Sequence, residues 1–330
     1  MKSIQEYIVE KMVYKKSNAS TYKYYPNTKK ELKQLLKELI KERGNEGNFN
    51  DIDTSKIEDM SDLFRYISKF NGDISKWNVS NVKNMDGMFC YCEFFNKDIS
   101  DWDVSKVTDM SNMFQGCENF NQNISNWNVS NVQKMEGMFR ECYKFDFSYI
   151  EQWDVSSLKY ASFMFEDCTG LNADLSNWNV ENLVEAYAMF MYCSEFEGKG
   201  LENWKLKSLE NSSKMFESCT KFNANISDWN VTTIETIDEM FTNCENFNSS
   251  LSEWKFSSKL TAFTGMFTNC ENFAGNGLEK WDVHNIKYFD SMFENCKQLK
   301  CNLEKWDISS VETMRDMFKG VNKVYVPFWY

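Results

Sequence analysis

The sequence predicts an α/β solenoid: one elongated array of about eleven units, each about one short strand plus one short helix, behind a small N-terminal α+β cap. Three observations carry this. Tryptophan recurs at Trp77, Trp102, Trp127, Trp153, Trp178, Trp204, Trp229, Trp254, Trp281 and Trp306, in steps of 25 residues with an occasional 26 or 27. A Met-Phe pair keeps the same step from Met88-Phe89 to Met317-Phe318, and a cysteine follows it three residues later from Cys92 to Cys296. Inside a unit two periods alternate. Trp102 and Val104 are two apart and share one face of a strand. Val107, Met110, Met113, Phe114 and Cys117 then form one stripe of a short helix. A unit this short cannot bury its own stripe, so the units must stack into one continuous core. That core places each repeat Trp between strand and helix.

Taken in order, residues 1–48 read as the cap. The stretch "VYKKSNASTYKYYP" alternates weakly, as a hairpin would. Thr28 and Glu31 set a capping box ahead of "KKELKQLLKELIKER", with Gly44 as its stop, which predicts a helix over 29–43. Residues 49–320 read as the repeat solenoid. Its first unit, about 52–64, lacks the Trp, as a terminal repeat would. In the unit of Trp102, Ser105 stands where it would cap the helix. Residues 321–330, "VNKVYVPFWY", depart from the pattern and read as a closing strand over the last open edge.

The units resemble the leucine-rich-repeat-like arrays of the BspA-like surface proteins, a type also found in mycoplasma lipoproteins. The phrase "ISNWNVSNVQKMEGMF" (124–139) carries the likeness, which covers about residues 50–320. It implies a right-handed solenoid with a parallel sheet along one side, and no particular ligand. Such proteins often carry a secretion signal. The start of this chain, "MKSIQEYIVEKM", has charges inside its apolar stretch and does not read as one. No apolar run reaches the length of a membrane span. The expected location is therefore cytoplasmic, in a bacterium or a phage-infected one.

Charge is uneven. Residues 1–44 hold 11 Lys and Arg against 5 Asp and Glu, which leaves 26 against 44 for the rest of the chain. An acidic array argues against nucleic acid as partner. The nine column cysteines are expected to be reduced, each a small buried hydrophobe. No CxxC pair appears and His284 is the one histidine, so neither a metal centre nor Ser-His-Asp or Cys-His catalysis is expected. Cys90 and Cys301 lie off the column and are expected to be exposed. Neither a P-loop nor GxGxxG occurs, and no cofactor is expected. The segments "FEGKGLENW" (196–204) and "FAGNGLEKW" (273–281) share an extra residue and two glycines. They read as a backbone bulge, with a phosphate-cradling loop as the alternative.

Function then rests on surface. An Asn/Asp band flanks the Trp column, for example at Asp101 and Asp103, and reads as a solvated sheet face or a sugar or peptide groove. On the other side two successive units break the usual polar pattern, with Tyr160, Phe163, Val184, Tyr187, Met191 and Tyr192. On a helical wheel none falls on the buried stripe, so adjacent units would join them into one apolar contact patch. The expected function is a non-catalytic protein–protein interaction scaffold, engaging an unknown protein partner or itself. The alternatives are a structural component of a virion or cell-surface assembly, and a carbohydrate- or peptide-binding module on the polar strand face.

Overall fold

The computed structural model describes residues 22–330. The chain is a solenoid whose buried side chains form one unbroken hydrophobic cluster from Tyr24 to Val321. All ten repeat tryptophans are buried. Eleven phenylalanines, from Phe64 to Phe318, stack in a single file with ring centroids 5.5–6.0 Å apart. Helix α1 spans Lys29–Arg43 and packs Leu32, Leu35, Leu36 and Leu39 against the first unit. Thr28 caps it by accepting the Glu31 amide, and the Glu31 carboxylate reaches back to the Asn27 N–H at 2.7 Å. The expected hairpin falls mostly outside the described residues. Of its end, Tyr24 makes a parallel bridge to Ile52.

The interior of the unit differs from the strand–helix expectation. Among the described residues the repeats contain no α-helix; regular structure there is limited to isolated parallel bridges and three short 3₁₀ turns. The bridges sit at Asp59, Asn84, Asp109, Lys134, Tyr160, Glu185, Asn211 and Thr236, each paired with the next, and again at Ala262, Tyr288 and Thr313. The stretch expected to be helical is therefore the hydrogen-bonded side of the solenoid. In the unit of Trp102, the amides of Met110, Asn112, Phe114 and Gly116 donate to the carbonyls of Lys134, Glu136, Met138 and Arg140 at 2.7–3.0 Å. Between these bonds the chain makes tight turns: Met113 N–H bonds Met110 O, and Cys117 N–H bonds Phe114 O. The third residue of each turn is left-handed, Asn112 at φ +52° and Gly116 at φ +67°. A left-handed third residue is the signature of a type II turn. Such turns return a side chain to the core every three or four residues, so they print the apolar spacing of a helix.

The Trp-Val segment, expected to be the paired strand, alternates buried and exposed residues but does not pair backbone to backbone with its neighbours. Side chains bridge it instead, as Asn131 Nδ2 does to Ser105 O at 2.8 Å. Ser105 is consequently not a helix cap. Its N–H donates to Asp103 Oδ1 at 3.1 Å in an Asx turn, which explains the recurring [ND]-V-S. The C-terminal residues also differ from the closing strand expected. They form a 3₁₀ turn at Lys323–Tyr325 and then carry Trp329 toward the Trp column, with its Nε1 on Leu303 O at 3.2 Å.

Two columns owe their identity to hydrogen bonds. Nine of the ten repeat tryptophans donate Nε1–H to a carbonyl of the preceding unit at 2.8–3.2 Å, as Trp127 does to Ile99 O; Trp102 is the exception. Each of the nine column cysteines places Sγ 2.9–3.1 Å from the Phe carbonyl of the preceding unit, as Cys142 does with Phe114 O. The slot needs a small side chain that is also a donor, which selects cysteine over alanine. Burial pushes these thiols well above the usual range. Cys90, expected to be exposed, is fully buried against Gln115, and Cys301 is half-buried. Both sit beneath the side chains of neighbouring units, which the sequence spacing alone does not reveal.

Candidate interaction surface

The ladder side is a continuous surface in which two left-handed positions per unit carry small or polar residues: Gly87, Asn112, Gly137 and Gly265 in the first, Gly116, Asn243, Asn269 and Asn295 in the second. These residues tolerate positive φ at least cost. Asn243, Asn269 and Asn295 also bond side chain to side chain at 2.7 Å, tying three units together. Large side chains at such positions are strained, and each needs a reason.

Phe163 (φ +59°) and Tyr192 (φ +63°) are two such cases. The Phe163 ring meets the Tyr187 ring edge-on at 5.0 Å, and the Arg140 guanidinium lies 5.5 Å over it. Arg140 Nη2 donates to Glu166 Oε1 at 3.1 Å, while Nε stands 2.8 Å from Oε2 but out of line for a hydrogen bond. Glu166 is only 6% exposed, and burial raises its carboxyl above the usual range against the pull of Arg140. At the next column Tyr143 donates its hydroxyl to Asp167 at 2.9 Å. Burial and that hydrogen bond push the phenol up.

The six sequence-predicted residues do not form the single patch that a helical wheel implies, because no helix orients them. Phe163 and Tyr187 are brought into contact and are half-buried. Met191, half-buried, and Tyr192, 45% exposed, follow on the next turn of the same unit. Tyr160, at a bridge position, and Val184, beside one, are half-buried at the opposite margin of the ladder. Sequence reasoning missed Arg140, Glu166, Asp167 and Tyr143, which frame the aromatic pair. An arginine where neighbouring units carry Gln115 or Glu166 was the available signal. It also missed a second aromatic group near the N-terminal end. There Tyr66, 66% exposed, stacks on Tyr91 at 5.6 Å with Arg65 over its ring.

The glycine segments are neither a strand bulge nor an open phosphate cradle. Gly198, Gly200, Gly275 and Gly277 all have positive φ and lead into 3₁₀ turns at Leu201–Asn203 and Leu278–Lys280. The amide that would meet an anion already has one: Gly200 N–H bonds Glu202 Oε2 at 3.0 Å, and Gly277 N–H bonds Glu279 Oε2 at 3.1 Å. A groove of about 730 Å³ lies between α1 and the first unit, lined by Leu36, Ile40, Leu63 and Ile67 and fringed by lysines. Among the described residues no cluster of three His, Cys, Asp or Glu forms a metal site, and no helix is long and apolar enough to cross a membrane.

A sequence-family profile described as "Mycoplasma protein of unknown function, DUF285" matches residues 31–148, 92–199, 122–228, 184–276 and 257–327. No curated protein matches. Among solved structures, "Crystal structure of TLR13-ssRNA13 complex" aligns with 89% of this chain at 10% identity and a TM-score of 0.24, too low to carry an argument. This chain spans about half (52%) of the length of that one.

Proposed function

The chain belongs to the Mycoplasma family of unknown function DUF285, and from that premise we propose that it is a non-catalytic interaction scaffold whose contact surface is the aromatic patch of the ladder side. The observation that supports this reading is the pair of strained aromatics at Phe163 and Tyr192, with Tyr187 and Arg140 around them, where some sister units place Asn or Gly and most others a small or charged residue. A left-handed bulky residue costs roughly 1–2 kcal/mol. The fold does not require that cost, since Asn112 and Asn243 occupy equivalent positions without it. Exposed Tyr and partly buried Phe, Met and Arg are the side chains that anchor protein contacts.

The test is the double substitution Phe163→Asn and Tyr192→Asn, which installs the residues of sister units. Relief of strain offsets the lost ring contacts, so the melting temperature should stay within a few degrees. Capture of a specific protein from native-host lysate, or self-association by light scattering, should be lost. A fall of more than about 10 °C would mean the rings are core. Binding that persists undiminished would remove the patch from the contact surface.

A further inference from the structure

Four aromatic side chains stand at left-handed positions of the ladder: Tyr66, Tyr91, Phe163 and Tyr192, with φ between +57° and +64°. Three have their rings engaged within the chain. Tyr66 stacks on Tyr91 at 5.6 Å and carries the Arg65 guanidinium 5.1 Å from its centroid. Phe163 meets Tyr187 and carries Arg140. In both places the guanidinium over the ring also pairs with a carboxylate of the ladder, Arg65 Nη1 with Asp62 at 2.8 Å and Arg140 with Glu166. Ring, guanidinium and carboxylate thus recur as one arrangement. The ring face attracts the cation and the carboxylate accepts its N–H groups.

Tyr192 has the ring and the carboxylate without a cation from this chain. It is 45% exposed, and among the described residues its ring meets no other ring or guanidinium and its hydroxyl makes no hydrogen bond. Asp167 precedes it in the same column. Asp167 N–H bonds Met191 O at 2.8 Å, so the two side chains leave neighbouring units about 4.8 Å apart. Asp167 Oδ2 accepts the Tyr143 hydroxyl, and neither carboxylate oxygen pairs with a cation among the described residues. One unit further back Glu141 extends the line, its N–H on Glu166 O at 3.0 Å. Like charges on neighbouring ladder positions repel. Sister units place Gly116, Asn243 and Asn269 in that column, so the fold does not ask for the pair. The nearby cations are already shared: Arg140 between Glu141 and Glu166, Lys214 between Glu217 and Glu239. Beneath the patch the buried Glu166 keeps Oε2 without a hydrogen bond. The aromatic patch therefore carries uncompensated negative charge beside an exposed ring. A guanidinium suits both features. It is planar, stacks on an aromatic face and forks two N–H groups onto a carboxylate, which an ammonium does only in part.

We propose that the patch binds its partner through an arginine of that partner, whose guanidinium lies over the Tyr192 ring and pairs with the Asp167 carboxylate; this rests on the reading that the patch is the contact surface. The probe is the synthetic peptide GLRLG, with analogues in which lysine or citrulline, the uncharged isostere, replaces arginine. Full-length protein labelled with fluorotyrosine is titrated by fluorine NMR, and the Tyr192 resonance is assigned by its loss in Tyr192→Phe. The arginine peptide should shift that resonance with a Kd at least tenfold below that of the citrulline peptide, and the lysine peptide should bind more weakly than the arginine one. Asp167→Asn suits the left-handed backbone and still accepts the Tyr143 hydroxyl, so its melting temperature should be unchanged while the preference for arginine over citrulline disappears. No shift at millimolar arginine peptide, equal binding of any two peptides, or a preference that survives Asp167→Asn would each overturn the proposal. Failure of the underlying reading shows separately. Partner capture would then persist undiminished in the variant carrying Phe163→Asn and Tyr192→Asn, whereas capture lost there but unchanged in Asp167→Asn would sink the arginine contact alone.

Discussion

Alkaline pH should unfold this protein steeply. Nine thiols sit in the core with Sγ 2.9–3.1 Å from a carbonyl, a contact that requires the protonated form. Burial holds all nine far above the unfolded thiol range of ~8.5. A group whose pKa is raised on folding contributes stability that is fully present below its unfolded pKa and is lost as pH rises beyond it. Each thiol forfeits about 1.4 kcal/mol per pH unit above ~8.5, so nine forfeit about 12 kcal/mol per unit. A folded domain has a margin of about 5–15 kcal/mol in total. The array should therefore lose its structure roughly one unit above the thiol range, near pH ~9.5. The assay is the urea midpoint from pH 7.5 to 10 under a reductant, followed by tryptophan fluorescence and circular dichroism. Replacing Cys117, Cys142 and Cys168 by Ala should lower the starting stability and reduce the slope by a third. A midpoint that stays flat through pH 10 would refute the reasoning.

Three further outcomes follow from individual contacts. Trp127→Phe breaks a hydrogen bond to Ile99 O, whereas Trp102→Phe removes a buried N–H that has no acceptor. With similar burial at both sites, Trp127→Phe should be the more destabilising by about 2 kcal/mol in paired urea denaturations. Gly200→Ala would place a Cβ 2.2 Å from Ser176 N at φ +89° and should cost several kcal/mol, while Gly170→Ala meets nothing within 4 Å and should be neutral or slightly stabilising in thermal melts. Thr28→Ala removes the cap of α1 and should cost about 1 kcal/mol, seen as faster exchange of the Glu31 amide.

The period, the core columns and the cap helix were legible because burial repeats with the chain: Trp, Met-Phe and Cys report the same interior in every unit. The path of the backbone between them was misread. Met110, Met113, Phe114 and Cys117 have helical spacing, and spacing alone cannot separate a helix from successive tight turns. The discriminating sign lay at the intervening positions. Gly87, Asn112, Gly137, Gly116 and Asn243 are residue types that suit left-handed backbone and disfavour a helix interior. Among the candidate contact residues, Phe163, Tyr187 and Tyr192 stood out by breaking that pattern. Arg140 and Glu166 were not legible, because their pairing spans units 26 residues apart and depends on the register of the ladder. Tyr160 and Val184 were grouped with the patch only through a helical geometry that the chain does not adopt.

The ladder also bears on the charge of the N-terminal cap. Four alternate amides per unit, as in the unit of Trp102, donate toward the C-terminal neighbour, while at the bridge margin amides donate backward, as Thr108 N–H does to Lys83 O; the peptide dipoles therefore add along the array only in part, with the positive end toward the C-terminal unit. The opposite end is the first unit, where α1 brings Lys33 to Asp62 O and Lys29 to the Asp59 carboxylate. Lys29 and Lys33 of α1 are in this light a counter-charge for the end they reach. An inverted cap, acidic where this one is basic, would face the same carbonyls with repulsion. The direction in which the larger number of ladder bonds is donated thus favours a basic cap, before any partner is considered.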